Sequence, residues 1–270
     1  MKKTSMTLLV TALLSLTASV KADWLHRVEE PSTETAVNNR FYVGPEFMWS
    51  HFKGGLTTKS YDFSLKQNVY YGGLRFGYEY LRPQAFYANT DAFVALGANN
   101  NQLVAEKNEL MADKNITGHI REAFKGHRGH LWINLEQDLG FTFASSRVPS
   151  CTVSFYGAPG FHFEHVKGTK AHWWYVATGI KTYQQFTDTF HLGCDFKVMY
   201  AFGAHDQGLL ILPTTIGKEE FWGYEVGVPF EWALGACHTF DIQLKPYLLK
   251  LNMESPETIL GVRLELGYNF

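Results

Sequence analysis

The chain has 270 residues, 46% of them hydrophobic and 16% aromatic, with a formal net charge of −2. This apolar content excludes extensive disorder, and near-neutrality leaves no basic footprint for nucleic acid. Beyond the N-terminus no apolar run reaches the roughly eighteen residues of a membrane-spanning helix, which excludes a helical membrane protein.

In chain order, Lys2 and Lys3 precede an apolar run from Met6 through Leu16, and Val20-Lys21-Ala22 closes the segment as a signal-peptidase site would. The run is too short for a membrane anchor, which needs about twenty apolar residues. Residues 1–22 are therefore expected to be a removed signal peptide, and no cysteine at the cleavage point suggests lipid attachment. Residues 23–38, with Pro31 and several Glu and Thr, form a polar N-terminal segment, and residues 39–270 the folded domain.

From residue 39 the chain alternates with period two. The first strand sets Phe41, Val43, Phe47 and Trp49 against Tyr42, Gly44, Glu46 and Ser50, and the second sets Tyr70, Leu74, Phe76, Tyr78 and Tyr80 against Gly73, Arg75, Gly77 and Glu79. A third, less clean, covers residues 86–97 with Asp91. The fourth opposes Leu135, Leu139 and Phe143 to Glu136 and Asp138, and the fifth Phe155, Phe161 and Phe163 to Tyr156, His162 and Glu164. The sixth places Lys181 opposite Trp174 and Val176, and the seventh Asp195 and Lys197 opposite Phe196 and Val198. The last three carry Glu225 and Glu231, then Asp241 and Lys245, then Arg263 and Glu265 on their polar sides. Ten strands result, with eight or twelve as the alternatives.

Alternation fits both a soluble sandwich and a membrane barrel, so length and spacing decide. These segments run to about a dozen residues, against about five or six for ordinary strands. At ~3.3 Å per residue and a tilt near 40°, about a dozen residues rise some 30 Å, enough for an apolar band and its aromatic borders. Connections after the second, fourth, sixth and eighth strands are short, as are those after the fifth and ninth, whereas residues 53–66, 98–130 and 203–220 are expected to be long loops.

The chain ends in a patterned strand, with Leu264, Leu266, Tyr268 and Phe270 on alternate positions. An exported chain of alternating strands that closes on aromatic-x-aromatic resembles the outer-membrane β-barrel proteins of Gram-negative bacteria. The resemblance implies an all-β fold, a closed antiparallel up-and-down transmembrane barrel in the outer membrane, with both termini and residues 23–38 in the periplasm. It also implies that Leu264, Leu266, Tyr268 and Phe270 are read by the barrel-assembly machinery, and that the last strand closes against the first. In lipid a sheet without edges is the β solution, because every backbone N–H and C=O must be paired within the protein.

Aromatics near strand ends, among them Phe41, Trp49, Tyr70, Tyr78, Tyr80, Trp173, Trp174, Trp222, Trp232, Tyr268 and Phe270, read as interfacial girdles. The expected lumen lining is Glu46, Arg75, Glu79, Asp91, Glu136, Asp138, Glu164, Lys181, Asp195, Lys197, Glu225, Glu231, Asp241, Lys245, Arg263 and Glu265, with acids outnumbering bases roughly two to one. Such groups either pair and fill the barrel or form an acidic path for small cations. Glycines on this face are expected to make room for the long charged side chains.

His119, Arg121, Lys125, His127, Arg128 and His130 fall in the longest loop, where they could meet lipopolysaccharide phosphates or a host surface. Two histidines without a third ligand do not make a metal site, and neither metal nor cofactor is expected. Some barrels of this class are enzymes, but no His-x-Ser pair occurs here, and Asp188 and His191 fall at a turn on the periplasmic side, the wrong one for a protease of the omptin type. Cys194 is expected to face lipid, while Cys151 and Cys237 sit near the periplasmic rim on strands that are not neighbours. The expectation is a non-enzymatic barrel, a narrow or occluded porin-like channel. The alternatives are a surface adhesin or ligand-binding barrel and, third, an envelope enzyme.

Overall fold

The computed structural model describes residues 38–57, 61–81, 85–107, 129–144, 151–166, 169–187, 189–207, 220–234, 239–253 and 256–270. The expected signal peptide and nearly all of the polar N-terminal segment lie outside the described residues.

Eleven strands follow in order: β1 Asn38–Thr57, β2 Tyr61–Leu81, β3 Phe86–Lys107, β4 Gly129–Ala144, β5 Cys151–Val166, β6 Thr169–Thr187, β7 Phe190–Gln207, β8 Phe221–Gly227, β9 Phe230–Leu234, β10 Phe240–Asn252 and β11 Glu257–Asn269. Each pairs antiparallel with its neighbours, and β11 pairs with β1 to close the sheet. Strands β8 and β9 both lie between β7 and β10, so they are one stave interrupted at Val228-Pro229. Pro229 brings no N–H to a ladder, yet its carbonyl still accepts from Gly193 N at 2.8 Å. The barrel therefore has ten staves, as the alternation predicts.

Closure has a definite stagger. From Asn39 the paired positions pass through Tyr80, Ala88, Leu139, Gly157, Thr178, Val198, Tyr224, Lys250 and Thr258, and return to β1 at His51, twelve residues beyond the start. Ten staves with that stagger tilt by about 40° and give a radius of about 10 Å, narrow enough for side chains to fill. At the β1–β11 seam the register skips Gly44 and Pro45, where a Cβ on Gly44 would lie 1.7 Å from the Leu264 carbonyl oxygen. Only glycine permits that approach.

The outward face is apolar, with Phe47, Leu74, Leu96, Leu135, Phe155, Phe196 and Leu266 all exposed. Two aromatic rings border it. At the end that carries Asn38 and Asn269, called the near end, Tyr78, Phe240, Tyr268 and Phe270 stack with centroids 5.3–6.2 Å apart. At the far end stand Trp49, Tyr70, Trp174 and Trp222. Phe41 and Trp49 on β1 mark the two borders, about 20 Å apart along the barrel axis.

The strands run further than the alternation suggests. Pairing of β1 with β2 continues to Thr57↔Asp62, and β2 pairs with β3 out to Tyr61↔Lys107. Residues 53–57, 61–66, 98–107 and 203–207, expected in loops, are therefore strand. Ladder bonds are backbone bonds, so polar residues on both faces do not stop them. Gly203, with φ at 61°, accompanies the register shift between β6 and β7 near His172 and Trp174.

Candidate functional site

The inner face is built from every second residue of each stave, and its character changes with height. On β1 the order from the near end is Arg40, Glu46, Met48 and Ser50, and on β4 it is Asp138, Glu136, Trp132 and His130. On β11 it is Glu265, Arg263, Ile259 and Glu257. An ionic layer thus lies toward the near end, an aromatic and aliphatic layer above it, and a second polar group at the far mouth.

The ionic layer is a continuous network. Arg40 Nη2 lies 2.7 Å from Asp241 and its Nη1 2.9 Å from Glu265. Arg75 donates to Glu46 at 2.5 Å and to Asp91 at 2.7 Å, while Arg263 lies 3.2 Å from both Glu46 and Glu225. Lys197 bridges Glu136 at 2.9 Å and Glu225 at 3.2 Å. Lys245 pairs with Asp195, Lys181 lies 3.3 Å from Glu79 and 3.7 Å from Asp138, and His191 lies 3.2 Å from Glu231. Such pairs contribute little net stability once desolvation is counted, but breaking one by removing a partner is costly.

Tyrosines tie the layers together. Tyr42, Tyr71, Tyr156, Tyr175 and Tyr247 each stand directly opposite a glycine on the next strand: Gly77, Gly97, Gly179, Gly160 and Gly261. A Cβ on Gly160 would meet the Tyr175 ring at 2.1 Å, so the ring lies over the glycine. Laid flat, Tyr175 donates to Glu136 at 2.7 Å, Tyr156 to Asp195 at 3.0 Å and Tyr247 to Glu46 at 2.5 Å. At these five positions the inner-face glycines accommodate tyrosine rings, while Gly227 beside Lys245 and Gly267 beside Arg40 and Asp241 make room for charged side chains as expected.

Above the ionic layer, rings cross the bore. Tyr71 and Trp132 have centroids 5.1 Å apart, Trp132 and His162 4.2 Å, His162 and Trp173 3.8 Å, and Trp173 and Phe221 5.4 Å. Met48, Phe93, Met199, Leu251 and Ile259 fill the space around them. Between these side chains lies a cavity of about 50 Å³ beneath Trp132, His162 and Trp173, and another of about 30 Å³ lies within the ionic layer. Each holds a few waters at most.

At the far mouth Tyr71 donates to Glu164 at 2.7 Å, and His130 Nδ1 lies 3.3 Å from the same oxygen. Ser50 donates its hydroxyl hydrogen to Glu257. On β1, Ser50 is one residue beyond Trp49, and Glu257 pairs with Phe52, so the cluster sits at or just beyond the far aromatic border.

All sixteen expected lining residues point into the barrel, but Glu164 stands at the far mouth, apart from the ionic layer. His130, expected in the surface loop, is buried on β4, because alternation from Asp138 inward through Glu136 and Trp132 turns it inward too. His119, Arg121, Lys125, His127 and Arg128 lie outside the described residues, as do Asp188 and Cys237. Trp173, expected in a girdle, is buried: adjacent to the outward Trp174, it has to face in. Arg40, Tyr87 and Glu257 emerge as further inner-face groups, which only the same parity count could have flagged, and His162, read on the polar side of the fifth strand, is buried there. Cys194 is exposed on the outer face and Cys151 half-buried at the start of β5; neither is in a disulfide.

No protein-family model matches this chain, and no curated protein matches its sequence. Among solved structures it is similar to the outer membrane protease OmpT from Escherichia coli, at 9% identity over 88% of this chain and 98% of that one, with a TM-score of 0.52. It is also similar to the β domain of the Bordetella autotransporter BrkA, at 8% identity over 87% and 100% of the two chains with a TM-score of 0.47. An outer membrane channel from Pseudomonas putida F1 gives 12% identity, 90% and 100% coverage and a TM-score of 0.42. At these identities the likeness is one of fold. The chain is a transmembrane β-barrel of the Gram-negative outer-membrane type, a fold that serves unlike functions.

Proposed function

We propose that this protein is an occluded outer-membrane barrel with both termini in the periplasm, whose interior is a structural core and whose working surface is the far, outward-facing mouth. The observation that carries this is the filled bore: ion pairs and rings cross it in two layers, and the cavities lined by those layers measure about 30 and 50 Å³. Sidedness is supported by connection lengths. Near-end connections span residues 82–85, 145–150, 188–189 and 235–239, while the far end carries the two longest, 108–128 and 208–220, beside the short 58–60, 167–168 and 253–256. Barrels of this kind have short periplasmic turns and longer outer loops. On this reading the near border faces the periplasmic leaflet and the far one lipopolysaccharide. The exposed Leu264, Leu266, Tyr268 and Phe270 are the segment offered to the assembly machinery.

The test is conductance of the purified full-length barrel in planar bilayers. An ion-tight membrane is expected; steady single-channel currents would overturn the occluded reading.

A second reading, a narrow cation path, is favoured by charge. Among the described residues of the ionic layer, Glu46, Glu79, Asp91, Glu136, Asp138, Asp195, Glu225, Glu231, Asp241 and Glu265 outnumber Arg40, Arg75, Lys181, Lys197, Lys245 and Arg263. Cation-selective currents in the wild-type protein would favour it.

A further inference from the structure

The acid excess of the ionic layer is not spread evenly. Among the described residues, two of its carboxylate oxygens, Asp91 Oδ1 and Asp138 Oδ1, are buried without a hydrogen-bond partner. Each side chain engages its neighbours through the other oxygen. Asp91 Oδ2 accepts from Arg75 at 2.7 Å, and Asp138 Oδ2 accepts from Tyr87 and Asn89 at 3.2 Å and lies 3.7 Å from Lys181. Asp91 is only 7% exposed and Asp138 2%. A bare carboxylate oxygen buried so deeply calls for a proton or a cation.

Strand register brings the two together. Asp91 on β3 stands opposite Glu136 on β4, and Asn89 opposite Asp138, so Asp91 and Asp138 are diagonal neighbours on adjacent staves. Such neighbours stand about 7–8 Å apart at their Cα atoms, a span that one ion between the two carboxylates bridges. Glu136 does not compete, because Lys197 donates to both of its oxygens at 2.9 Å. Both aspartates line the cavity of about 30 Å³ within the layer, along whose wall seven carboxylates face five Arg and Lys side chains.

Space decides between proton and cation. A proton needs no room, whereas a cavity of about 30 Å³ holds about two water-sized spheres, one small ion and one water. Among the described residues no three His, Cys, Asp or Glu are grouped to hold a metal, so a divalent or transition ion lacks its ligand set. Two carboxylate oxygens and a water suit a monovalent one.

We propose that Asp91 and Asp138 bind one alkali-metal cation between their free oxygens, inside the ionic layer. The ion offsets the layer's local acid excess, and its seat is the same whether or not the bore conducts.

The test is thermal unfolding of the detergent-purified full-length barrel, refolded at alkaline pH in sodium, potassium or N-methylglucamine chloride of equal ionic strength, so that screening is constant. N-methylglucammonium is too large for the cavity. The midpoint of the heat-dependent gel shift is expected to stand about 3 °C or more higher in sodium or potassium, and to climb with the logarithm of the ion's concentration. Asp91→Asn and Asp138→Asn each remove one ligand charge and should bring the midpoints in the three salts together while the gel shift is retained. In N-methylglucamine, Asp138→Asn should melt no lower than the wild type, which loss of a merely structural contact would not give. If one variant does not fold, the other decides. Equal wild-type midpoints in the three salts would overturn the proposal and give the charge to a proton. An ion dependence that survives in a folded variant would overturn it too. Conductance is read separately, so a conducting barrel sinks only the occluded reading, and a barrel indifferent to the cation sinks only this site.

Discussion

Arg40 on β1 holds Glu265 on β11 at 2.9 Å and Asp241 on β10 at 2.7 Å, so one guanidinium joins the first stave to the last two. Arg40→Met would leave both carboxylates buried without their cation, at a cost of about 3–5 kcal/mol. The temperature at which the folded band gives way to the unfolded one on gels should fall. Arg40→Met combined with Asp241→Asn should fall less than the single changes sum to, because the second removes a charge the first strands.

The tyrosine–glycine pairs make a separate expectation. Gly160→Val would drive the Tyr175 ring from its seat and its hydroxyl from Glu136. A loss of about 1–3 kcal/mol is expected, as for overpacking elsewhere. Tyr175→Phe, which keeps the ring and leaves Glu136 with Lys197, should cost less in the same folding titration.

Occlusion depends on the rings that cross the bore. Replacing Trp132 and Trp173 together by Ala removes the two large rings that sandwich His162. Planar-bilayer recording should then show currents absent from the wild type. They should be cation-selective, because the layer beneath carries the acid excess. A double variant that stays ion-tight would place the barrier in the ionic layer instead.

Orientation of the two faces can be tested on one strand. Phe47 is 61% exposed on β1 and Glu46 beside it is fully buried. Phe47→Arg puts a cation in the hydrocarbon band and should cost about 2–4 kcal/mol in a liposome folding titration. Phe41→Arg, at the near border, should cost about 1 kcal/mol or less. Equal costs at the two positions would mean that this face does not meet lipid.

Some of this was readable along the chain and some was not. Which residues face out, how many staves there are and where the aromatic borders fall follow from alternation, because side-chain direction in a strand repeats every two residues whatever its partners. Lipid demands an apolar outer face at each step between the aromatic borders, and so keeps that signal clear there, least so on β3. Parity even reaches Trp173 and His130 once it is followed strictly.

What parity leaves open is height and partnership. Arg40 meets Asp241 across 201 positions of sequence, and Tyr71 meets Glu164 across 93. These meetings depend on the twelve-residue stagger at closure, a property of the sheet as a whole. The stagger sorts inner-face side chains that look alike in sequence into a paired ionic layer, a ring-filled layer and an acidic mouth. Only the closed tertiary structure could decide that Glu136 meets Lys197 while Glu164, on the next strand, meets His130 and, among the described residues, no Lys or Arg.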